Sequence, residues 1–112
     1  MKKIEAIIRP TKLDEVRAAL KEAGCPGIMI SEIEGHGKQK GGTQQWRGID
    51  YKVDLLPKVK IEIIVKDSDL KIIVKTIIKA AKTGEIGDGK IFVSPVEEVF
   101  RIRTEEQGEI AI

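Results

Sequence analysis

Lys3-Ile4-Glu5-Ala6-Ile7-Ile8-Arg9 recurs 57 positions later as Lys60-Ile61-Glu62-Ile63-Ile64-Val65-Lys66, and the two stretches match in kind at every position. Hydrophobic alternation of this sort predicts a strand in both places. After each stretch the apolar residues take helical spacing, at Leu13, Val16, Leu20 and Ala23 in the first unit and at Leu70, Ile73, Ile77 and Ala80 in the second. The repeat therefore predicts two strand-helix units of one design.

The ends of both helices are marked by turn and cap residues. Thr11 follows the strand-ending Pro10 and is placed to cap the first helix, which Gly24 should end. Asp67 or Ser68 is placed to cap the second helix. Each cap would satisfy backbone N–H groups of the first helical turn.

Each helix leads into a further strand, predicted at 28–33 and at 90–93. Two strand-helix-strand units within 112 residues describe an α+β fold, the ferredoxin-like split βαβ arrangement, in which an antiparallel sheet carries both helices on one face. The chain length argues for one such domain, 1–112, with a long loop between its second and third strands. A chance match of two amphipathic units is the alternative explanation of the repeat, and it leaves the fold class unchanged.

The composition restricts the classes of function. Twenty Lys and Arg against 18 Asp and Glu leave a net charge of +2, so a general nucleic-acid binder is disfavoured. With one Trp, one Tyr and two Phe, the core must be aliphatic. The single cysteine, Cys25, and the lack of a signal-peptide stretch at the start predict a cytoplasmic protein.

The sheet face away from the helices should also be apolar, because the repeated strands are rich in Ile on both faces. Ile7 and Ile64 in particular would need cover. An exposed apolar sheet face of this size usually marks an interface, so we expect a homo-oligomer with the sheets turned inward.

A long, polar and glycine-rich stretch runs between Gly35 and Pro57. Loops of this length in a compact domain are uncommon and are usually functional or disordered. Its few apolar residues cannot offset the cost of ordering the backbone, so we expect a mobile loop until something binds. Trp46, Arg47 and Tyr51 are residue types enriched at interfaces, which predicts a partner-docking element. A tolerated insertion is the alternative.

The strongest chemical signal is a second glycine-rich stretch, Thr83-Gly84-Glu85-Ile86-Gly87-Asp88-Gly89-Lys90. It is not a P-loop, because Ile91 stands where a magnesium-binding Ser or Thr is required and the stretch leads from helix to strand. Gly87 and Gly89 still allow backbone N–H groups to converge on an anion, with the charge of Lys90 beside them. A tight turn with a solvated lysine is the alternative.

Two arginines near the end of the chain add to this signal. On an extended segment, residues two apart point the same way, so Arg101 and Arg103 would place two guanidinium groups side by side. Together with Lys90 they suit the phosphates of a nucleotide. The alternative is a surface ion-pair ladder with four nearby carboxylates, Glu97, Glu98, Glu105 and Glu106. The pattern alone does not decide between the two.

Three stretches resemble the PII family of nitrogen-regulatory signal proteins: Thr83 to Val96, Asp54-Leu55-Leu56-Pro57-Lys58-Val59-Lys60-Ile61-Glu62, and Arg101-Ile102-Arg103-Thr104. The resemblance covers essentially the whole chain. It implies a homotrimer of ferredoxin-like subunits that binds ATP or ADP in the clefts between subunits, where 2-oxoglutarate joins MgATP. It also implies a sensor that is not an enzyme and has no permanent cofactor.

Position by position, the resemblance implies a nucleotide site made of Ile7, Gly37, Lys38, Gln39, Glu62, Ile64, Gly87, Asp88, Gly89, Lys90, Arg101 and Arg103. Gln39 would coordinate Mg²⁺ beside 2-oxoglutarate, and Lys58 would pair with the distal carboxylate of that acid, next to Gly87. Met29 and Lys38 replace the threonine and the arginine that are usual in the family, and nucleotide binding itself should survive both changes.

The same resemblance divides the chain into functional segments. Residues 83–90 form the phosphate-binding loop, 37–56 the effector loop and 97–112 the C-terminal segment. Arg47 matches the loop-tip arginine with which relatives plug an ammonium transporter, which would be the only route of the protein to a membrane. Nitrogen-assimilation enzymes are the other implied targets. Tyr51 matches a tyrosine that some relatives carry uridylylated, which makes a uridylyltransferase a further implied partner.

Three other functions compete with this interpretation. An RNA-binding module would use surface aromatics on the central strands, and only Phe92 is available. An enzyme would need a catalytic constellation, but His36 is the sole histidine and no Ser/His/Asp or Cys/His set is present. A purely structural trimer would leave the three predicted phosphate-binding cations without a task. The main alternative is a ferredoxin-like nucleotide-binding or RNA-binding module without 2-oxoglutarate sensing.

Overall fold

The structure is a computed structural model that describes residues 1–35, 43–46, 49–52 and 56–112. Its strands are β1 (Lys2–Ile8), β2 (Met29–Gly35), β3 (Thr43–Trp46), β4 (Ile49–Lys52), β5 (Leu56–Val65) and β6 (Lys90–Pro95). Its helices are α1 (Leu13–Glu22) and α2 (Leu70–Ala81), and short 3-10 turns cover Pro10–Lys12, Asp67–Asp69 and Gly108–Ala111. No helix within these ranges is long and apolar enough to cross a membrane.

Four of the strands form one antiparallel sheet in the order β2-β5-β1-β6. The two central strands are the two members of the sequence repeat, and Ile4 of β1 lies opposite Ile63 of β5. Both helices pack against the same face, since one buried cluster joins residues of α1 and α2 to alternate residues of β1 and β5. The predicted α+β ferredoxin-like fold is confirmed.

The repeat extends from the strands into the turns and helices. α1 begins at Leu13 and α2 at Leu70, and the 3-10 turns before them begin at Pro10 and Asp67, again 57 residues apart. The spacing is lost only after the helices begin. α2 has 12 residues where α1 has 10, and the connection to the next strand runs over 82–89 instead of 23–28.

The caps predicted for both helices are wrong. All three candidate side chains lie inside the 3-10 turns: Thr11, Asp67 and Ser68. The residue before each helix forms no side-chain cap hydrogen bond. The chain instead enters the first helix through a backbone hydrogen bond from the Lys12 N–H to the Arg9 carbonyl oxygen, at 3.0 Å, and the second unit repeats this bond. A main-chain turn thus replaces the capping side chain.

The core is aliphatic, as the composition predicts. It consists of alternate residues of the central strands and one side of each helix: Ile4, Ala6, Ile8, Val16, Leu20, Val59, Ile61, Ile63, Val65, Ile73, Ile77 and Ala81. Ala23, predicted for the same helical face, lies one residue beyond α1 and is exposed. Among the described residues no polar or charged side chain is buried, so apolar packing alone accounts for this core.

The open face of the sheet, away from the helices, carries Ile7 and Ile64 as predicted, but it also carries ion pairs and is less apolar than the sequence prediction has it. Lys3 Nζ lies 3.0 Å from a carboxylate oxygen of Glu5 and 3.3 Å from one of Glu62. Lys60 Nζ lies 3.1 Å from the other oxygen of Glu62. Strand alternation brings these charged side chains to the same face as Ile7, so this face can meet water. The expected homo-oligomer therefore stays a prediction.

The stretch 35–57, predicted as a long loop, contains two paired strands. β3 and β4 pair antiparallel in a sheet of their own, with Thr43 opposite Lys52 and Trp46 opposite Ile49. Thr, Trp, Ile and Tyr have high strand propensity, which explains why short strands form in this stretch. The other residues of the predicted effector loop lie outside the described ranges, apart from Leu56.

Replacement of Ile63 by Ala should destabilise the protein by about 2–5 kcal/mol, because the side chain is fully buried and its neighbours can close the resulting cavity only in part. Urea unfolding followed by circular dichroism measures this change. Ile72→Ala is the control, since Ile72 is 59% exposed on α2 and surface substitutions shift stability by about 0.5 kcal/mol or less. Equal losses in the two variants would contradict this assignment of the core.

Candidate functional site

The second glycine-rich stretch connects α2 to β6 and folds back onto the end of β1. Gly87 and Gly89 have φ values of +105° and +99°, in a region that L side chains avoid. At Gly89 there is also no space for a side chain, because an added Cβ would lie 1.7 Å from the carbonyl oxygen of Ile7. Gly89 thus fixes the loop against a central strand of the sheet.

Asp88 holds this loop together. Its carboxylate accepts hydrogen bonds from the backbone N–H groups of Thr83 and Gly84, at 2.8 and 2.9 Å, and from the Thr83 hydroxyl. Arg9 Nε lies 3.2 Å from the same carboxylate. These hydrogen bonds, above all that from the Thr83 hydroxyl, hold the pKa of Asp88 well below its usual range. Because the carboxylate is satisfied inside the loop, any direct contact of Asp88 with a phosphate would come from its backbone N–H.

Arg9 is not among the residues predicted from the sequence, but its side chain belongs to this loop region. Its side chain joins two points of the loop, because Nε donates to the Asp88 carboxylate and Nη2 donates to the Ile86 carbonyl oxygen at 2.8 Å. In the repeat the equivalent of Arg9 is Lys66, which is exposed. The change from Lys66 to Arg9 between the two repeats is the feature of the sequence that points to Arg9. A planar guanidinium group donates hydrogen bonds in fixed directions to two acceptors, whereas an ammonium group acts as a point charge.

Lys58 lies beside the loop and contacts Gly87. Its Nζ donates a hydrogen bond to the Gly87 carbonyl oxygen at 2.8 Å, so two of the three residues that the resemblance assigns to 2-oxoglutarate are in contact. Partial burial, and then the positive charge of Arg9, lower the pKa of Lys58. An anion that approached this ammonium group would offset both effects. The third residue of the predicted set, Gln39, lies outside the described residues.

The residues predicted for the nucleotide base share the open face of the sheet. Glu62 and Ile64 lie two residues apart on β5 and therefore point to the same face. Ile7 of β1 lies opposite Lys60 of β5 and opposite Lys90 of β6. A hydrogen bond from Lys60 is the main cause that lowers the pKa of Glu62. The register of the sheet therefore places Lys90, predicted for the phosphates, next to Ile7, predicted for the base.

A cavity of about 390 Å³ opens beside the same loop. Its lining includes Ile7, Gly89 and Lys90 together with apolar residues of α2. A volume of this order is within the range of small-molecule sites. Glu62 and Ile64 are not among its lining residues, so the predicted base contacts lie on the sheet surface rather than in this cavity.

Arg101 and Arg103 do not lie on an extended segment, which contradicts the sequence prediction. The chain turns at this point, because the Arg101 N–H donates to the Glu106 carbonyl oxygen at 2.9 Å and the Glu105 N–H donates to the Arg101 carbonyl oxygen at 2.8 Å. Glu105 has a φ of +62°, a left-handed conformation that reverses the chain. Strand alternation therefore does not set the two guanidinium groups parallel.

Arg101 is bound within the C-terminal segment. Its Nη1 lies 2.6 Å from Glu106 Oε1, and its Nη2 donates to the Ile110 carbonyl oxygen at 2.9 Å. A hydrogen bond with Thr104 and then the charge of Arg101 lower the pKa of Glu106. Of the predicted ion-pair ladder, the structure shows the pair between Arg101 and Glu106, whereas Arg103 forms no ion pair within the described ranges.

The remaining predicted residues belong to the effector loop. Four of them lie outside the described residues: Gly37, Lys38, Gln39 and Arg47. Trp46 and Tyr51 are part of the paired strands β3 and β4. The predicted roles of these residues in Mg²⁺ coordination, docking and modification stay predictions.

Asp88→Asn should lower the stability of the protein at neutral pH, because an amide cannot accept all the hydrogen bonds that the carboxylate accepts. Folding depresses the pKa of Asp88, so the carboxylate stabilises the folded state above its unfolded pKa of about 3.9, and this stabilisation is lost as the pH falls below that value. The difference in unfolding free energy between wild type and variant should be constant between about pH 7 and pH 5 and shrink below about pH 4.

Urea unfolding at a series of pH values measures this difference. Glu85→Gln is the matched control, because it removes an exposed carboxylate from the same loop that is not part of the Asp88 hydrogen-bond cluster. The control should follow the wild type at every pH. A difference for Asp88→Asn that persists unchanged down to pH 3 would show that the ionised carboxylate does not hold the loop.

Comparisons with known proteins show the family. The sequence matches the family model described as Nitrogen regulatory protein P-II over residues 1–106. A protein named Nitrogen regulatory protein P-II 2, from Methanothermobacter thermautotrophicus, is 58% identical over 112 residues, which are 100% of this chain and 97% of the relative. Proteins named Nitrogen regulatory protein P-II from Nostoc punctiforme and Azospirillum brasilense are 57% and 60% identical over 100% of both chains. The chain therefore belongs to the nitrogen regulatory protein P-II family.

Proposed function

We propose that this protein is a non-enzymatic sensor of nitrogen, carbon and energy state. It binds ATP or ADP and, together with MgATP, 2-oxoglutarate, and it regulates target proteins through the effector loop 37–56. Membership of the P-II family supports the role in nitrogen regulation. The ligands, the cytoplasmic homotrimer and the targets are the parts of this proposal that go beyond family membership.

The observation that best supports the proposal is the convergence of three parts of the chain on the glycine loop, which is the glycine-rich stretch 83–89 between α2 and β6. Gly89 packs against the Ile7 carbonyl of β1, and Lys58 of β5 donates to the Gly87 carbonyl. Lys90 follows the loop directly and begins β6. Positive charge beside backbone N–H groups in a glycine-rich turn is the environment that phosphate and carboxylate ligands require.

In this proposal the phosphates of ATP or ADP bind to backbone N–H groups of the glycine loop. Lys90 supplies a positive charge next to the loop, and Arg101 and Arg103 supply two more. Ile7 and Ile64 contact the base on the open face of the sheet, where Glu62 lies beside them. Gly37 and Lys38 complete the site from the effector loop.

2-Oxoglutarate binds next to the same loop. MgATP supplies the cation on which the keto acid chelates, and Gln39 completes the coordination of Mg²⁺. Lys58 pairs with the distal carboxylate of the acid. The lowered pKa of Lys58 supports this role, because a bound anion compensates an ammonium group that is partly desolvated.

The effector loop transmits the ligand state to partners such as an ammonium transporter or nitrogen-assimilation enzymes. Trp46, Arg47 and Tyr51 are the docking residues, and Tyr51 is the residue that a uridylyltransferase would modify. If 2-oxoglutarate and a target compete for this loop, their coupling is reciprocal and typically about 1–3 kcal/mol. A target whose binding weakens when 2-oxoglutarate binds must itself weaken the binding of 2-oxoglutarate.

A ferredoxin-like nucleotide-binding or RNA-binding module without 2-oxoglutarate sensing is the second candidate function. Phe92 favours RNA binding, since it lies opposite Glu5 on the open face of the sheet and is 54% exposed. The same face disfavours it, because Lys3 and Lys60 are paired with carboxylates rather than free for a phosphate backbone. Salt-dependent binding of single-stranded RNA, without any response to 2-oxoglutarate, would support this candidate.

Calorimetric titration of 2-oxoglutarate, with and without MgATP, tests the proposed sensor. Binding should require MgATP and should change the fluorescence of Trp46, the sole tryptophan. Lys58→Ala should weaken 2-oxoglutarate binding about tenfold or more while ATP still binds, because the variant removes one charge-assisted hydrogen bond. Lys90→Ala should weaken the binding of ATP itself by a similar factor.

Lys79→Ala is the matched control for both variants. It removes an exposed lysine of α2 that forms no ion pair in the part of the chain that the structure describes. Both ligand affinities should stay within about twofold of the wild type, since an exposed charge away from the site is screened by salt. ATP binding without 2-oxoglutarate binding would favour the second candidate, and failure of both ligands to bind would refute nucleotide sensing.

A further inference from the structure

The C-terminal segment closes on itself as a short hairpin. Phe100 and Gln107 form an isolated antiparallel bridge, and the Gly108 N–H donates to the Val99 carbonyl oxygen at 2.9 Å. The turn between the two arms contains both arginines of the predicted phosphate site. The fold of this hairpin therefore decides how these arginines are presented to a ligand.

Arg101 and Glu106 face each other across the hairpin and are joined twice. The backbone N–H of Arg101 donates to the Glu106 carbonyl oxygen at 2.9 Å, and Nη1 of its guanidinium group lies 2.6 Å from Glu106 Oε1. Nη2 donates to the Ile110 carbonyl oxygen at 2.9 Å. Both terminal nitrogens of Arg101 are thus occupied by oxygen atoms of the same segment, and one of these oxygens is anionic.

A carboxylate and a phosphate bind a guanidinium group by the same chemistry, through charge-assisted hydrogen bonds from N–H groups to anionic oxygens. Glu106 Oε1 therefore takes a position on Arg101 that a phosphate oxygen would need. Arg103 differs, since it is exposed and forms no ion pair among the described residues. A carboxylate therefore occupies the position of a phosphate oxygen on Arg101 only, which is one of the two arginines predicted to bind phosphate.

We infer that Glu106 is an internal competitor of the nucleotide phosphates for Arg101. The ion pair between Arg101 and Glu106 opens when Arg101 binds a phosphate, and nucleotide binding in turn loosens the C-terminal hairpin. The inference rests on the proposed function, because it requires that Arg101 takes part in nucleotide binding. By linkage, a change that stabilises the closed hairpin lowers nucleotide affinity, and a change that weakens the hairpin raises it.

The closed hairpin is held weakly enough to yield to a ligand. Ile102 and Ile110 are 96% and 66% exposed, so the turn buries little apolar surface. Glu105 adopts a φ of +62°, which is unfavourable for a residue with a side chain. The side chains of Arg101 and Glu106 are 35% and 33% exposed, and ion pairs of that kind change an equilibrium by a factor of about two to five. The expected effect is a modulation of affinity of this size.

Calorimetric ATP affinities of the wild type, Glu106→Gln and Glu109→Gln test the inference. Glu106→Gln keeps the shape of the side chain and removes its charge, so ATP should bind about two- to fivefold more tightly. Glu109→Gln removes the same charge from the same segment, and Glu109 forms no ion pair within the described ranges, so this control reports the general effect of charge on a polyanion. Adenosine, which has no phosphate, should bind equally to all three proteins.

Arg101→Gln provides a second test. This variant should weaken ATP binding, and the addition of Glu106→Gln should then have no effect beyond that of Glu109→Gln, because the competitor has lost its target. The inference alone would be overturned by equal ATP affinities of the wild type and Glu106→Gln, by an equal gain in Glu109→Gln, or by an equal gain for adenosine. A failure of the wild type and of every variant to bind ATP would overturn the proposed nucleotide binding as well.

Discussion

The antiparallel pairing of β1 with β5 joins the two repeated units, and its register determines both the core and the candidate site. Alternate residues of a strand point to opposite faces, so a shift of one residue would exchange buried Ile4 and Ile63 for their charged neighbours. The same shift would displace Ile7, whose carbonyl oxygen contacts Gly89 of the glycine loop. The position of the loop is therefore a consequence of how two core strands pair.

Much of the fold could be predicted from the sequence, because burial on one face leaves a period of two in strands and of 3.6 in helices. The helix entrances could not, since the bond from the Lys12 N–H to the Arg9 carbonyl is made by main-chain atoms that every residue shares. The turn at Arg101 was missed for the same reason, because it depends on the φ of Glu105 and on backbone bonds. Counting Ile also overestimated how apolar the open face is, where Lys3 and its partners form ion pairs.

The predictions for the candidate site rest on residue type alone, as in the glycine-rich stretch 83–90, which the structure places between α2 and β6. They missed Arg9, because its contact with Asp88 joins residues that are 79 positions apart. Asp88 is predicted to bind the ligand, and in the structure its carboxylate accepts hydrogen bonds from N–H groups of the loop itself. These contacts reduce the repulsion that the Asp88 carboxylate would exert on an anion, because its charge faces Arg9 and the N–H groups of the loop. Lys58 and Lys90 add positive charge beside this loop.

The two halves of the chain are equivalent in the core and unequal in one connection. The segment 82–89 after α2 holds the glycine loop, while its counterpart 23–28 after α1 is two residues shorter. A fold built from two similar halves offers two places for such a loop, and this protein has specialised one of them. The counterpart is exposed or half-buried throughout, so protein engineering could transplant a second copy of the glycine-rich segment there without redesign of the core.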